Sequence, residues 1–234
     1  MKILILQVAT PNIKDYSIYS IPININYSIK WDYDFLLYTS KEQEIDHHPA
    51  WLKVTAFYNI NIEKYDWIWV LDADAVINND KIKLEDIIGD CSKSIIISKN
   101  GKNGGRYLNS GSFLIKGEFI KQLLFKYEDC VSNNYIFLNE RFWDQELIND
   151  WYEDSPEYFS VRKMKELNSH WRIYGASEEY CLDNGIDYVP VYNQKNNLIH
   201  HFMSLPKDIR INWMKNNWTD KQIKMLKKMN IFVS

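Results

Sequence analysis

Two aspartates separated by one residue follow a short apolar run. Asp72 and Asp74 come directly after the apolar residues Trp67 to Leu71. Side chains alternate along an extended chain, so both carboxylates can face one cation while Ala73 is turned aside. A run of this length is typical of a strand that is covered on both faces of a parallel sheet. The pattern therefore predicts a metal-binding pair at the carboxyl end of a buried strand.

The spacing of two carboxylates is weak information by itself, because a chain rich in aspartate produces it by chance. Asp32 and Asp34 have the same spacing, but no uninterrupted apolar run leads into them. In an alternative interpretation, Asp72 and Asp74 only cap a turn into residues 78–80. The apolar run before Asp72 and Asp74 favours the metal site over the turn cap.

Polar residues further along the chain could complete a binding site. Asn109, Ser110 and Gly111 offer an amide, a hydroxyl and accessible backbone, which can act as hydrogen-bond donors and acceptors for a polar ligand. The glycine interrupts a strand-like run and indicates a close approach of backbone to a ligand. A bulge or a turn explains the glycine equally well.

Five more side chains could take part in binding or catalysis. Asp144 and Gln145 open a predicted helix, where a carboxylate could stabilise developing positive charge and an amide could hold a hydroxyl. Helix capping alone would also explain Asp144. His200 and His201 are adjacent, and because neighbours on an extended chain face opposite ways, only one of them should bind a metal. Read by itself, Lys53 is typical of a solvated lysine on a helix.

Strands and helices must position these residues, and apolar runs alternate with helical patterns along the chain. Strands are predicted at residues 2–8, 33–38, 67–71, 94–98 and 108–115. Helices are predicted near residues 18–30, with an interruption at Pro22, and at 50–59, 82–88, 118–135, 144–152 and 219–230. The alternation predicts an α/β fold with a mostly parallel central sheet flanked by helices. The loop that leaves the first strand, residues 9–12, is where a nucleotide base or ribose would lie.

Composition and charge exclude several classes of protein. The 234 residues fit one large α/β domain. A net charge of −3 and a pI near 6.0 give no reason to expect nucleic acid, whose binders usually have basic domains. Cys91, Cys130 and Cys181 are odd in number and widely spaced, which favours reduced thiols over disulfides or a zinc site.

No segment predicts insertion into a membrane. The first apolar run is interrupted by Pro11, and no later run approaches the ~18 apolar residues of a span. We therefore expect a soluble, cytoplasmic protein without a signal peptide or an anchor. The lysine-rich residues 221–228 could make weak contact with an anionic membrane, although a solvated surface helix is favoured. The abundance of Ile, Asn, Lys and Tyr is typical of an AT-rich genome, such as that of a microbe or a large DNA virus.

Taken in order, the motifs resemble those of GT-A-fold glycosyltransferases. They are HPAWLK at residues 48–53, YDWIWVLDAD at 65–74, NSGSFLI at 109–115, WDQ at 143–145 and HF at 201–202. The set is most similar to the retaining galactosyl/xylosyl/mannosyltransferase family of fungal mannan galactosyltransferases and plant xyloglucan xylosyltransferases. The similarity extends to about residue 202. The anchor and stem of that family's Golgi members have no counterpart here, and the segment after His201 is unfamiliar.

The resemblance implies one Rossmann-like GT-A domain over residues 1–205, with a helical extension over 206–234 packed on it. It implies that Asp74 and His201 bind Mn²⁺ or Mg²⁺ most directly, with Asp72 shared between the metal and the ribose. It implies catalytic roles for Asp144 and Gln145. The residues expected to bind the donor are Gln7, Ala9, Thr10, Lys53, Asp72, Ala73, Asn109, Ser110 and Gly111.

We therefore expect a metal-dependent enzyme that transfers a sugar from a UDP-sugar donor to a hydroxyl of a saccharide acceptor, with retention of configuration. If the enzyme inverts, Asp144 or Glu146 could be the general base. Aromatic rings within residues 171–192 could stack on the acceptor, although packing is the simpler explanation for each ring.

Two other functions stay open. One is a non-catalytic module that binds a nucleotide or a saccharide. The other is a sugar-nucleotide nucleotidylyltransferase, which needs a glycine-rich, basic loop after the first strand. Residues 9–12 do not provide that loop.

Overall fold

The computed structural model describes residues 1–39, 48–99, 108–135, 143–162, 169–170, 198–202 and 207–216. Its strands are β1 (Ile3–Ala9), β2 (Asp34–Thr39), β3 (Trp67–Leu71), β4 (Ala75–Ile77), β5 (Ile95–Lys99), β6 (Leu108–Lys116), β7 (Phe159–Arg162), β8 (Ser169–His170) and β9 (Ile199–His201). Its helices are α1 (Lys14–Trp31), α2 (Leu52–Thr55), α3 (Leu84–Ile88), α4 (Ile120–Ser132), α5 (Trp143–Asp154) and α6 (Lys207–Asn216).

Six strands form the central sheet, in the order β2-β1-β3-β6-β5-β7. Strand β6 runs antiparallel to β3 and β5, and the other pairings are parallel. Strands β1 and β3 are buried along their whole length, because helices cover the sheet. The predicted α/β fold with a mostly parallel sheet flanked by helices is confirmed.

The two faces of the sheet have separate cores, since side chains alternate along each strand. Leu6 and Val70 face the larger core, which contains Trp51 and residues of α4 and α5. Ile5 and Trp69 face the other core, which contains Tyr27 of α1 and residues of α3. Each side chain of this size contributes about 1.5–3 kcal/mol when fully buried. These contacts hold the carboxyl ends of β1 and β3 at one rigid edge.

A second, smaller sheet has the order β4-β9-β8 and was not predicted. Strand β4 follows β3 after a short turn and pairs antiparallel with β9. Its three residues are too few to show a periodic pattern in the sequence. This sheet connects the end of β3 to a segment more than a hundred residues later in the chain.

Helix α1 differs from the prediction, because it starts at Lys14 and continues through Pro22 to Trp31. Proline lacks the N–H that would bond to the carbonyl four residues earlier. The helix accepts this loss here because Pro22 and its neighbours Ile21 and Ile25 are buried in tertiary contacts. The predicted helix at residues 50–59 is also altered, since 3₁₀ turns precede and follow the four residues of α2.

Helix α6 packs beside α1. Met214 of α6 is fully buried and clusters with Val76 and Phe202. The helix predicted at residues 219–230 and the aromatic segment 171–192 lie outside the described residues. Among the described helices, none is both long and apolar enough to cross a bilayer. Cys91 and Cys130 carry free thiols, and Cys181 is not among the described residues.

Candidate metal and donor site

The turn after β3 carries Asp72 and Asp74 out of the core. Ala75 donates its N–H to the carbonyl of Asp72 at 3.1 Å, and Asp72 donates its own N–H to the carbonyl of Gly111 at 2.9 Å. The Asp72 side chain is 30% exposed and that of Asp74 is 11% exposed. One carboxylate therefore faces solvent, and the other lies deeper in the protein.

Strand β9 brings a histidine to this turn through its pairing with β4. The Nε2 atom of His201 lies 3.2 Å from Oδ1 of Asp74 and 3.4 Å from Oδ2 of Asp72. The three side chains offer ligand atoms that lie within 4.8 Å of one another. His200 is buried outside this cluster, and burial lowers its pKa to about 3. The geometry therefore distinguishes the two histidines and brings His201 to the aspartates.

The two carboxylates control the charge of His201. Burial lowers the pKa of its imidazole, but Asp74 and Asp72 outweigh burial and raise the pKa to about 9. Burial also opposes the ionisation of Asp72, but Lys53 and His201 outweigh it and hold the pKa of that carboxyl below its usual range. The cluster attracts positive charge, which a proton on His201 or a bound cation can supply.

Lys53 lies inside the protein, where it joins two carboxylates. Its residue is 2% exposed, and its Nζ atom lies 2.8 Å from Oδ1 of Asp72 and 2.8 Å from Oδ2 of Asp144. It also donates to the carbonyl and hydroxyl oxygens of Ser110, each at 3.2 Å. Burial lowers the pKa of the ammonium, but the carboxylates outweigh it and raise that pKa. The expectation of a solvated lysine is wrong, because helical periodicity does not register charges from distant parts of the chain.

Helix α5 and strand β6 hold the remaining predicted residues against Lys53. The Oε1 atom of Gln145 accepts from Nδ2 of Asn109 at 3.2 Å and from the Ser110 N–H at 3.4 Å. Asp144 is 3% exposed and lies in the first turn of α5. Burial raises the pKa of its carboxyl, and Lys53 opposes that rise. The two residues predicted to be catalytic thus lie beside those predicted to contact the sugar.

Gly111 makes room for His201. A Cβ atom at this position would overlap with Cε1 of the imidazole and lie 2.6 Å from Nδ1 and 2.8 Å from Nε2. The prediction of a close approach at this glycine therefore has a physical basis, but the approaching group is a protein side chain. The β5–β6 register also shifts between Ile97 and Ser98, so an irregularity of the ladder accompanies the close contact.

The first strand and its loop lie next to the turn. Gln7 pairs with Leu71, the last residue of β3, and β1 ends at Ala9. Ala73 and Thr10 are 6% and 4% exposed, and the Thr10 hydroxyl donates to Asn12. The Gln7 side chain is fully buried and is bonded inside the protein, so the structure gives it contacts with the turn in place of exposure to a ligand.

Arg210 is a residue at this site that the sequence did not reveal. Its Nη1 atom lies 2.9 Å from Oδ2 of Asp74, and its guanidinium lies 5.0 Å from the ring centroid of Tyr16. Burial raises the pKa of that tyrosine, and Asp74 adds to the effect. The sequence of α6 does not mark Arg210, because the partners of this arginine are distant in the chain. Asp74 lies in the turn before β4, and Tyr16 lies in α1.

The side chains of Asp72, Asp74 and His201 suit a divalent cation that binds oxygen and nitrogen ligands. Two carboxylates and one imidazole suit Mn²⁺, which accepts nitrogen more readily than Mg²⁺ does. Asp72 is the most exposed of the three, so further ligands could approach from its side. Gly111 leaves the space that the imidazole occupies. The residues present therefore fit a metal that is shared with a bound ligand.

Comparison with known proteins identifies similar folds but no similar sequences. No protein-family model matches the chain, and no curated protein sequence matches it. The fold is that of GT-A glycosyltransferases, as three solved structures illustrate. At identities of 15% or below, this likeness is one of fold.

The first is a glycosyltransferase involved in the glycosylation of the major capsid of PBCV-1, with a TM-score of 0.73 and 15% identity over 92% of this chain and 100% of that one. The second is GlyE of Streptococcus pneumoniae TIGR4, with a TM-score of 0.64 and 14% identity over 97% of this chain and 63% of that one. The third is the galactosyltransferase LgtC in complex with donor and acceptor sugar analogs. Its TM-score is 0.55, with 13% identity over 95% of this chain and 99% of that one.

Proposed function

We propose that this protein is a metal-dependent glycosyltransferase that moves a sugar from a UDP-sugar donor to a hydroxyl of a saccharide or glycan acceptor, with retention of configuration. One observation carries the proposal. Asp72, Asp74 and His201 converge at the carboxyl edge of a GT-A sheet, beside the buried pair of Lys53 and Asp144. Ligands of open α/β sheets bind at that edge.

Asp74 and His201 would hold Mn²⁺ most directly, and Asp72 would share it with the donor. When bound, the metal neutralises the charge that develops on the leaving diphosphate. Lys53 contributes a second positive charge on the far side of Asp72. Its ammonium is held by protein carboxylates before any substrate arrives, so its orientation costs little at the moment of reaction.

The donor would lie along the turn after β3 and the loop after β1. Ala9 and Thr10 are the contacts proposed for the nucleotide, because β1 ends close to the turn that carries Asp72. Asn109, Ser110 and Gly111 are the contacts proposed for the donor sugar. Their amide, hydroxyl and backbone groups match the donors and acceptors of a sugar ring.

Asp144 and Gln145 are the residues proposed to act on the reacting sugar. The Asp144 carboxylate, fixed by Lys53, can stabilise positive charge at the anomeric carbon. The Gln145 amide can hold a hydroxyl group. With retention, the leaving phosphate itself can take the acceptor's proton. The likeness of the motifs to a retaining family supports this choice over an inverting reaction with Asp144 or Glu146 as the base.

Three measurements test the proposal. Calorimetric titration should show that Mn²⁺ and UDP bind, with UDP binding dependent on the metal. A screen of UDP-sugars should then detect slow hydrolysis of one donor, and NMR of the released sugar should show the anomeric configuration of the donor retained. A preference for Ca²⁺ without UDP binding would favour the non-catalytic module. Metal and UDP binding with an inverted product would refute retention alone.

A further inference from the structure

Helix α1 buries polar side chains beside strand β1. Ser20 and Asn24 are fully buried, and so is Gln7 on that strand. A buried polar group costs free energy unless it is hydrogen-bonded. The partners of these side chains therefore show what the helix gains from them.

The partners are backbone groups of the turn that carries the two aspartates. Gln7 donates from Nε2 to the carbonyl of Asp72 at 3.2 Å, and the same atom lies 3.4 Å from the carbonyl oxygen of Ala73. The hydroxyl of Ser20 donates to the carbonyl of Ala73 as well. The side chains are also bonded to each other, since Gln7 donates to Ser20 at 3.1 Å.

Asn24 holds the far end of the same segment from both sides. It donates from Nδ2 to the carbonyl of Ala75 at 2.9 Å and to Oε1 of Gln7 at 3.1 Å. It accepts the N–H of Ile77 at its Oδ1 atom, at 2.9 Å. The carbonyl of Asp74 is held by the N–H of Phe202 at 3.2 Å. Side chains and the N–H of Phe202 thus fix successive peptide planes from Asp72 to Ile77.

We propose that Gln7, Ser20 and Asn24 are positioning residues for the metal site, which hold the backbone of residues 72–77 so that the two aspartate side chains converge on His201. The inference rests on the proposed function, because it assumes that these aspartates bind a metal. Ligand distances at a metal site tolerate only a few tenths of an ångström, so small shifts of peptide planes weaken binding. Partners behind the direct ligands are known to control metal affinity in this way.

A purely structural role would give a different distribution of contacts. The other buried residues of α1 include the apolar Ile21 and Tyr27 and the polar Ser17 and Ser28. Ser20 and Asn24 donate hydrogen bonds to the carbonyls of Ala73 and Ala75 where the helix passes the turn. Ser28, on the same helix, is 2% exposed and donates only locally, to the carbonyl of Ile25 at 2.7 Å. It provides a matched control.

The test measures the Mn²⁺ dissociation constant by calorimetry without nucleotide, at a temperature where circular dichroism shows each variant fully folded. Asn24→Leu should raise the constant about 10- to 100-fold, as loss of such partners typically does. Ser20→Ala should raise it about 3- to 10-fold, because Nε2 of Gln7 still lies close to the carbonyl of Ala73. Ser28→Ala should leave it within about twofold of the wild type.

Other outcomes are informative. If Asn24→Leu does not fold, the comparison of Ser20→Ala with Ser28→Ala decides the question. A lower melting temperature in both test variants with an unchanged dissociation constant would overturn the positioning role and leave the proposed function intact. Failure of the wild-type protein to bind Mn²⁺ would overturn the metal site itself, and this inference with it.

Discussion

The chain contains the same pattern of two aspartates twice, and the two copies have different environments. Asp34 of the first pair lies at the start of the edge strand β2, where it binds Lys2, Lys64 and the hydroxyl of Tyr65 at the surface. Its partner Asp32 is an exposed residue with a φ of 57° that ends α1.

The second pair, Asp72 and Asp74, lies beyond the carboxyl end of a central strand. It contacts His201, Lys53 and Arg210, which are buried or partly buried and come from three distant parts of the chain. The spacing of the carboxylates is therefore not what makes a site. The two pairs differ because Asp72 and Asp74 follow the carboxyl end of a central strand. The fold also brings His201, Lys53 and Arg210 into contact with them.

The largest expected effect separates the two pairs directly. Asp74→Asn should weaken metal-dependent UDP binding more than about 100-fold, because loss of a direct ligand costs more than loss of a partner behind it. Asp34→Asn should leave that binding unchanged, since exposed ion pairs contribute about 0–1 kcal/mol to stability alone. Calorimetry with Mn²⁺ and UDP measures both. Equal effects in the two variants would remove the distinction between the pairs.

The next prediction concerns the second carboxylate that Lys53 binds. Asp144→Asn should reduce the rate of sugar transfer or donor hydrolysis about 100-fold or more, which is typical for loss of one group that stabilises developing charge. UDP affinity should stay within a few-fold of the wild type, because Asp72 still pairs with Lys53. Normal turnover in this variant would exclude Asp144 from the mechanism.

Two glycines extend the comparison of the aspartate pairs. The imidazole of His201, which contacts Asp72 and Asp74, occupies the space beside Gly111, whereas Gly89 has open space around it. Gly111→Ala should raise the Mn²⁺ dissociation constant about tenfold or more, as its Cβ would overlap with the imidazole of His201. Gly89 has a φ of 52° but open space around it, so Gly89→Ala should cost about 1 kcal/mol of stability and leave metal binding unchanged. Thermal melts and calorimetry distinguish the two costs, and unaltered metal affinity in Gly111→Ala would contradict the close-packing argument.

The last prediction concerns pH, which should change both the stability of the metal-free protein and its affinity for the metal. His201 has a folded-state pKa of about 9 against an ordinary value of 6.5. Its charge therefore adds stability that is complete below about pH 6.5 and is lost as pH rises through about 9. Metal binding must displace the same proton, so Mn²⁺ affinity should rise across this window, by up to about tenfold per pH unit. Affinity that is flat from pH 6.5 to 9 would contradict a protonated His201 that must lose its proton when the metal binds.

Much of the fold follows from local sequence patterns. The apolar runs of β1, β3 and β5 identify buried strands, and their alternation with helices identifies a parallel sheet. The same patterns place Asp72 and Asp74 at a strand end. These features are predictable because each depends on neighbours within a few residues.

The rest of the site depends on contacts between distant segments. The alternation of side chains does not tell His200 from His201. The family resemblance favours His201, and the pairing of β4 with β9 shows which ring meets the aspartates. The burial of Lys53 depends on Asp72 and Asp144, and the role of Arg210 depends on Asp74. A helix pattern contains none of this information, since the favourable partners are not on the helix.

The most direct test of the central claim is the identity of the metal's ligands. Pulsed electron paramagnetic resonance of Mn²⁺ bound to protein with ¹⁵N-labelled histidine detects a nitrogen that is bonded to the ion. We predict a ¹⁵N coupling in the wild type that persists in His200→Gln and disappears in His201→Gln. A coupling that survives in His201→Gln, or Mn²⁺ bound without any histidine coupling, would contradict a metal site built from Asp72, Asp74 and His201.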